Sequence, residues 1–241
     1  MSEFKGLIAL VGSGEYLEVM EPVDRHLLAH CGADGRIPQV VCLPTAAGQE
    51  GDISIDRWVK MGLNHFHKLG AEVQAARITN RAEADDPHYA EMLAAADLIY
   101  FSGGNPSYLY QTLQGSRAWT AAESAWSRGA VYAGCSAGAM ILARELPDLR
   151  GGADHGVAFG AVPARYVLPH FDRMQLMRPV LTPFLKSRLG PTDFLLGIDE
   201  NTALVGLLGG SWQTMGAGKV YVFTHKEVKS YADGESVPLP A

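Results

Sequence analysis

"AVYAGCSAGAMIL", residues 130–142, opens as an apolar, strand-like run and closes on small and apolar residues at helical spacing. The change falls at Gly134-Cys135-Ser136-Ala137-Gly138, a G-x-S-x-G pattern centred on Ser136. Small residues two before and two after a serine permit the strained strand-to-helix turn that lifts its hydroxyl out of a sheet. The spacing predicts a strand over 130–135 and a helix over 137–144. Cys135 then ends the strand and points back into the sheet, where a free cysteine behaves as a small hydrophobe. Ser136, rather than Cys135, is then the candidate for an exposed nucleophile, unless the small residues serve only tight strand–helix packing.

The rest of the chain repeats this alternation. GLIALV (6–11), QVVCLP (39–44) and DLIYFSG (97–103) are short continuous apolar runs, as expected of parallel strands buried on both faces. Between them lie helical patterns such as Ile55 to Leu69, with a broad apolar face and a stop at Gly70. Strand and helix alternating over the first 145 residues predict an α/β fold, a doubly wound, mostly parallel sheet with helices on both faces. Ligands of such sheets bind beyond the carboxyl ends of the strands. After about residue 190, FLLGID (194–199), TALVGLL (202–208) and KVYVFT (219–224) are separated by Gly-rich turns and predict antiparallel additions to the same sheet near the C-terminus. No repeat or linker divides the chain, so residues 1–241 are read as a single domain.

Composition excludes several functions. With 47% hydrophobic and 19% charged residues, a net charge of −6 and scattered Lys and Arg, the chain has no basic stripe for nucleic acid or an anionic membrane. No apolar run approaches the about 20 residues of a membrane span. Cys31, Cys42 and Cys135 form neither a disulfide framework nor a zinc site, so a reducing, cytoplasmic setting is expected. His26 and His30 are four apart, but Leu27 stands where HExxH needs its glutamate; no metal is expected. In "GSGEY" (12–16), Leu17 takes the place of the last glycine of a dinucleotide loop, and no cofactor is expected.

A serine hydroxyl needs a base, itself oriented by a carboxylate. Of eight histidines, His170 stands apart: in "VLPHFD" it follows the apolar piece 165–169 and should project from a strand end on the ligand side. His155, in "GGADHG", is the runner-up. For the carboxylate, Asp199 and Glu200 end one apolar run and precede another in "LLGIDENTALV", with Asp154 and Asp172 as alternatives.

"YFSGGNPSYL" (100–109), "AGCSAGA" (133–139), "VLPHF" (167–171), "GIDENTALV" (197–205) and the terminal "GAGKVYVF" (216–223) together resemble peptidase family S51, which includes dipeptidase E and cyanophycinase. The resemblance covers most of the chain in order. It implies a flavodoxin-like fold of the class I glutamine amidotransferase type, with a Ser–His–Glu triad made here of Ser136, His170 and Glu200. The order Ser, His, acid differs from the Ser, acid, His of α/β-hydrolases. In the "SGGNP" motif, glycines let backbone N–H groups approach a developing negative charge, so Gly104 is assigned as one oxyanion donor and Ala137, after the nucleophile, as the other. Asn105 is either a substrate contact or the helix N-cap before Pro106. The loop 12–16 and Thr45 are expected to border the cleft.

The resemblance implies a small peptide as substrate and partner, with a preference for acidic P1 or β-aspartyl residues. Arg165 and Arg173 flank the His170 segment and suit recognition of a substrate carboxylate. A non-peptide amide or ester hydrolase, an amidotransferase-like enzyme and a non-catalytic binding protein remain as alternatives. A monomer or homodimer is expected, and the 151–156 loop is a possible lid.

Overall fold

The computed structural model describes residues 5–31, 35–147, 156–174, 183, 184, 186, 187 and 189–240. In chain order the elements are β1 (Ile8–Val11), α1 (Glu21–Cys31), β2 (Gln39–Leu43), α2 (Asp52–Lys68), β3 (Glu72–Ala75), α3 (Arg81–Ala84), α4 (Pro87–Ala95), β4 (Leu98–Phe101), α5 (Pro106–Leu113), α6 (Arg117–Arg128), β5 (Val131–Cys135) and α7 (Ala137–Met140). They continue with β6 (Glu145–Leu146), β7 (Gly156–Val157), β8 (Tyr166–Leu168), β9 (Phe194–Ile198), β10 (Thr202–Gly206), β11 (Trp212–Gly216), β12 (Val220–Thr224) and β13 (Val228–Tyr231).

A seven-stranded sheet runs β11-β10-β1-β5-β4-β2-β3. The five strands from β1 to β3 are mutually parallel, whereas β10 pairs antiparallel with β1 and β11 antiparallel with β10. The central runs lack polar alternation because both faces are covered. In β1, Ile8 and Leu10 face the side carrying Leu93 of α4, Leu109 of α5 and Trp126 of α6. Ala9 and Val11 face the side carrying Leu27 of α1 and Phe66 of α2. The same period of two puts Tyr132 on the first side and Ala133 and Cys135 on the second.

Two expectations are corrected. The segments 194–199 and 219–224 do not join the main sheet: β9 and β12 lie in a second sheet of order β13-β12-β9-β8, in which β8 and β9 are parallel. The chain leaves this sheet through the corner Asp199-Glu200-Asn201, where Asn201 has φ +54°, and enters the main sheet as β10. The helix after Ser136 ends at Met140, not Arg144. The carbonyls of Ile141, Leu142 and Ala143 accept instead from the N–H groups of Phe159, Val162 and Gly160, which stops helical bonding while keeping the three apolar side chains buried.

Candidate active site

The turn at Ser136 is steric in origin. Ser136 has φ +48° and ψ −104°, a sparsely populated conformation for a residue with a side chain. A Cβ on Gly134 would stand 2.4 Å from the Gly138 carbonyl oxygen, and one on Gly138 would stand 2.8 Å from the Phe101 carbonyl oxygen. Both glycines of the motif therefore let strand and helix close around the serine. The Ser136 N–H donates to the Val11 carbonyl at 2.9 Å, which anchors the elbow to β1.

Strand pairing brings the partners to it. Because β8 and β9 run parallel with Leu168 opposite Gly197, residues just past their carboxyl ends lie side by side, and these include His170 and Glu200. Because β10 pairs with β1, the corner between β9 and β10 sits over the carboxyl end of β1, beside Ser136. Gly197 is part of this arrangement: a Cβ there would lie 2.7 Å from the Phe171 ring, whose burial fixes the residue next to His170. His170 itself has φ +51°.

The side chains form a line. Ser136 Oγ lies 3.2 Å from His170 Nε2, and His170 Nδ1 lies 2.9 Å from Glu200 Oε1. Arg173 Nε donates to Glu200 Oε2 at 2.8 Å, and the Glu200 N–H donates to Asp172 Oδ1 at 2.8 Å. The His170 hydrogen bond, and after it that of Arg173, hold the Glu200 carboxyl below its usual range. Asp199 is turned elsewhere, its Oδ2 accepting from the Lys219 N–H at 3.0 Å. Asp154, His155 and the loop 151–155 lie outside the described residues.

Cys135 differs from its neighbour in every respect that matters to nucleophilicity. It is fully buried, and its thiol donates to Glu15 Oε2 at 2.9 Å. Burial, and then the charge of Glu15, push the thiol well above its ordinary pKa, which withholds the thiolate. The expectation that it points into the sheet is met, although it meets a carboxylate there as well as apolar side chains.

The N–H groups of the Ser102-Gly103-Gly104-Asn105 loop can be accounted for one by one. Ser102 donates to the Leu43 carbonyl, Gly103 to Glu15 Oε1 and Asn105 to the Ala46 carbonyl. Among the described residues the N–H groups of Gly104 and Ala137 have no acceptor. Gly104 has φ +142° and a Cβ there would stand 2.4 Å from the Ala46 oxygen, so only glycine fits. A Cβ on Gly103 would lie 3.8 Å from Ser136 Oγ, which places this loop against that hydroxyl.

Asn105 caps α5, its side chain accepting from the Tyr108 N–H at 3.1 Å while Nδ2 donates to Gln49. Arg165 is engaged by Glu145 and Asp193. Arg173 is 75% exposed beside Glu200. Thr45 is buried in the turn whose Ala46 carbonyl braces the glycine loop. Two residues carry more of the site than sequence reasoning assigned to them. Asp172 holds the Glu200 backbone, and Glu15 lies beneath the glycine loop. The flanking glycine and the proximity to a strand end were the available signals for Glu15. Among the described residues no group of three His, Cys, Asp or Glu is placed to hold a metal ion, and no helix is long and apolar enough to cross a membrane.

The model of peptidase family S51 matches residues 7–208. The chain belongs to peptidase family S51. It is thus a peptidase of the serine type. Among solved structures, a peptidase from an acI-B1 actinobacterium is 35% identical, with 98% of each chain covered and a TM-score of 0.87. A putative peptidase E protein from Listeria monocytogenes EGD-e shares the fold at 19% identity, with 93% of this chain and 97% of that one covered and a TM-score of 0.59. No curated protein matches the chain.

Proposed function

We propose that this S51 peptidase hydrolyses small peptides through an acyl-enzyme on Ser136, with His170 as general base and acid and Glu200 as the carboxylate that orients it. The observation that carries the reading is the continuous line Ser136 Oγ–His170 Nε2–His170 Nδ1–Glu200 Oε1, at 3.2 and 2.9 Å. In the first step Ser136 Oγ bonds to the scissile carbonyl carbon while its proton passes to His170 Nε2. The carbonyl oxygen becomes an oxyanion facing the N–H groups of Gly104 and Ala137, each donor being worth about 100- to 1,000-fold in rate. His170 then returns the proton to the departing amine as the C–N bond breaks. A water gives its proton to His170 and attacks the ester. As the C–Oγ bond breaks, His170 returns that proton to Oγ, releasing the acid and regenerating Ser136. Throughout, Glu200 faces Nδ1 and favours the cationic imidazole.

Preference for an acidic residue at P1, or for a β-aspartyl linkage, fits the same site. Arg173 has its Nε on Glu200 and an exposed guanidinium, which leaves the outer face of the fork to a substrate carboxylate. Asn105, bound to Gln49 and to its own helix, serves the loop rather than the substrate in this reading. The test is a panel of Asp–Xaa, β-Asp–Xaa and neutral dipeptides offered to the parent and to Ser136→Ala. The parent is expected to cleave the acidic members and to be labelled on Ser136 by a fluorophosphonate, and Ser136→Ala to bind without turnover. Equal hydrolysis by Ser136→Ala would overturn the assignment. Labelling that persists in Ser136→Ala and vanishes in Cys135→Ala would move the nucleophile to the cysteine.

A further inference from the structure

We propose that Glu15 is a positioning residue of this centre, its carboxylate holding the Ser102–Gly103 peptide and thereby setting the next one so that the Gly104 N–H faces the acyl oxygen; this rests on the Ser136 acylation reading. Glu15 is 7% exposed and touches both sides of the nucleophile. Oε1 accepts from the Gly103 N–H at 2.8 Å, and Oε2 accepts from the thiol of Cys135, the residue before Ser136, at 2.9 Å. The missing Cβ of Gly103 would lie 2.9 Å from Oε1 and 3.3 Å from Ser136 Cβ, so carboxylate, glycine loop and nucleophile meet at one point.

The backbone around Glu15 is shaped to aim it. Gly14 has φ +89° and packs so closely on Asn201 that a Cβ would stand 2.2 Å from Oδ1 of that side chain. Tyr16 has φ +64°, an uncommon conformation for a bulky residue, and is buried among the rings of Tyr100, Phe66 and His65. The Asn201 N–H donates to the Ser13 carbonyl at 3.2 Å. One short loop thus ties the corner bearing Glu200, the strand end bearing Ser136 and the glycine loop.

The bond to Gly103 is the informative one. Of the four N–H groups from Ser102 to Asn105, those of Ser102 and Asn105 are held by main-chain carbonyls, and that of Gly103 is held by a side chain. A glycine pair has no side chains to set its own peptide planes. With Gly103 fixed by Glu15 on one side and Asn105 by the Ala46 carbonyl on the other, the plane between them presents its N–H in one direction. Such donors act only if preorganised, since misplacement by about 1 Å costs about 100-fold.

Two substitutions separate reach from charge. Glu15→Asp keeps the carboxylate but draws it back by one methylene, and Glu15→Gln keeps an acceptor at Oε1 without the charge. The readout is phosphonylation of Ser136 by a fluorophosphonate, resolved into the saturating rate and the half-saturating concentration, alongside the melting temperature. Glu15→Asp should label about 10- to 100-fold more slowly, with half-saturation within about twofold of the parent, and Glu15→Gln should recover the rate to within about threefold. Glu15→Asp labelling as fast as the parent, or faster than Glu15→Gln, would overturn the proposal. If Glu15→Asp does not fold, Glu15→Gln decides alone, a loss of more than about tenfold counting against the proposal. A parent that is never labelled on Ser136 overturns the acylation reading itself and this inference with it.

Discussion

Gly134→Ala tests whether the elbow is held by sterics as described. The added Cβ starts 2.4 Å from the Gly138 carbonyl oxygen and 2.5 Å from its carbon, and relief to 3.0 Å requires a shift of at least about 0.6 Å between β5 and the first turn of α7. Neither side yields easily. Strand β5 is paired on both edges by β1 and β4, and Gly138 is pressed on the Phe101 backbone. The expected stability loss is that of an overpacked core, about 1–3 kcal/mol. Ser136 lies between the two displaced pieces, and its 3.2 Å contact with His170 has little slack before it exceeds the about 3.5 Å limit of a useful hydrogen bond. Misplacement on this scale should slow acylation by about 10- to 100-fold. Urea unfolding gives the first quantity and fluorophosphonate labelling the second. A variant within about 0.5 kcal/mol and threefold of the parent would refute the steric account of the G-x-S-x-G spacing.

Glu200→Gln preserves shape but removes the charge facing His170 Nδ1 and should lower kcat by about 10³- to 10⁴-fold, read on whichever dipeptide the parent cleaves. Arg173→Gln removes the cation that, after His170, holds the Glu200 carboxyl low. Without it the Glu200 carboxyl should rise toward its ordinary range, which urea unfolding followed against pH reads, and an unmoved pH dependence would count against the pairing. The sign for stability follows the depressed carboxyl: its contribution is present above the ordinary carboxylate range and is lost as pH falls through the folded value. Arg173→Gln should therefore lose less stability than the parent over that acid interval. Asp24→Ala strands His65, its buried partner at 2.8 Å, and should cost about 3 kcal/mol in urea unfolding while kcat per folded molecule stays within about threefold.

The features legible in the sequence are those whose cause is local. The elbow is one, because Gly134 and Gly138 are explained by contacts within a few residues or with the adjacent strand. The buried strands β1, β4 and β5 are others, because burial on both faces removes polar residues from the run itself. Strands β3 and β13 left no such mark. They lie at the edges of their sheets, and the exposed side chains of Glu72, Gln74, Lys229 and Ser230 break any apolar run. The second sheet was hidden for another reason. Runs 194–198 and 202–206 look alike as sequences, and only the left-handed turn at Asn201 sends them to different sheets. Selection of Glu200 over Asp199 depends on that same corner, which points one carboxylate at His170 and the other at the Lys219 amide.

The division of labour between Cys135 and Ser136 follows from one change of backbone direction. Up to Cys135 the period of two assigns side chains to faces, and position 135 falls on the face packed by α1 and α2. At Ser136 the positive φ ends that alternation, so the next side chain escapes the sheet and reaches His170. The more intrinsically nucleophilic atom is therefore the one locked away, its proton retained by burial and by Glu15. A thiol in that position still contributes, because it supplies the second donor that a carboxylate beneath a glycine loop requires. Removing that donor while leaving Glu15 in place should loosen the loop without exposing a new nucleophile. Cys135→Ala is therefore expected to label on Ser136 more slowly than the parent, by less than Glu15→Asp does. Labelling of Cys135→Ala at the parent's rate would show that Gly103 alone is enough to hold the carboxylate.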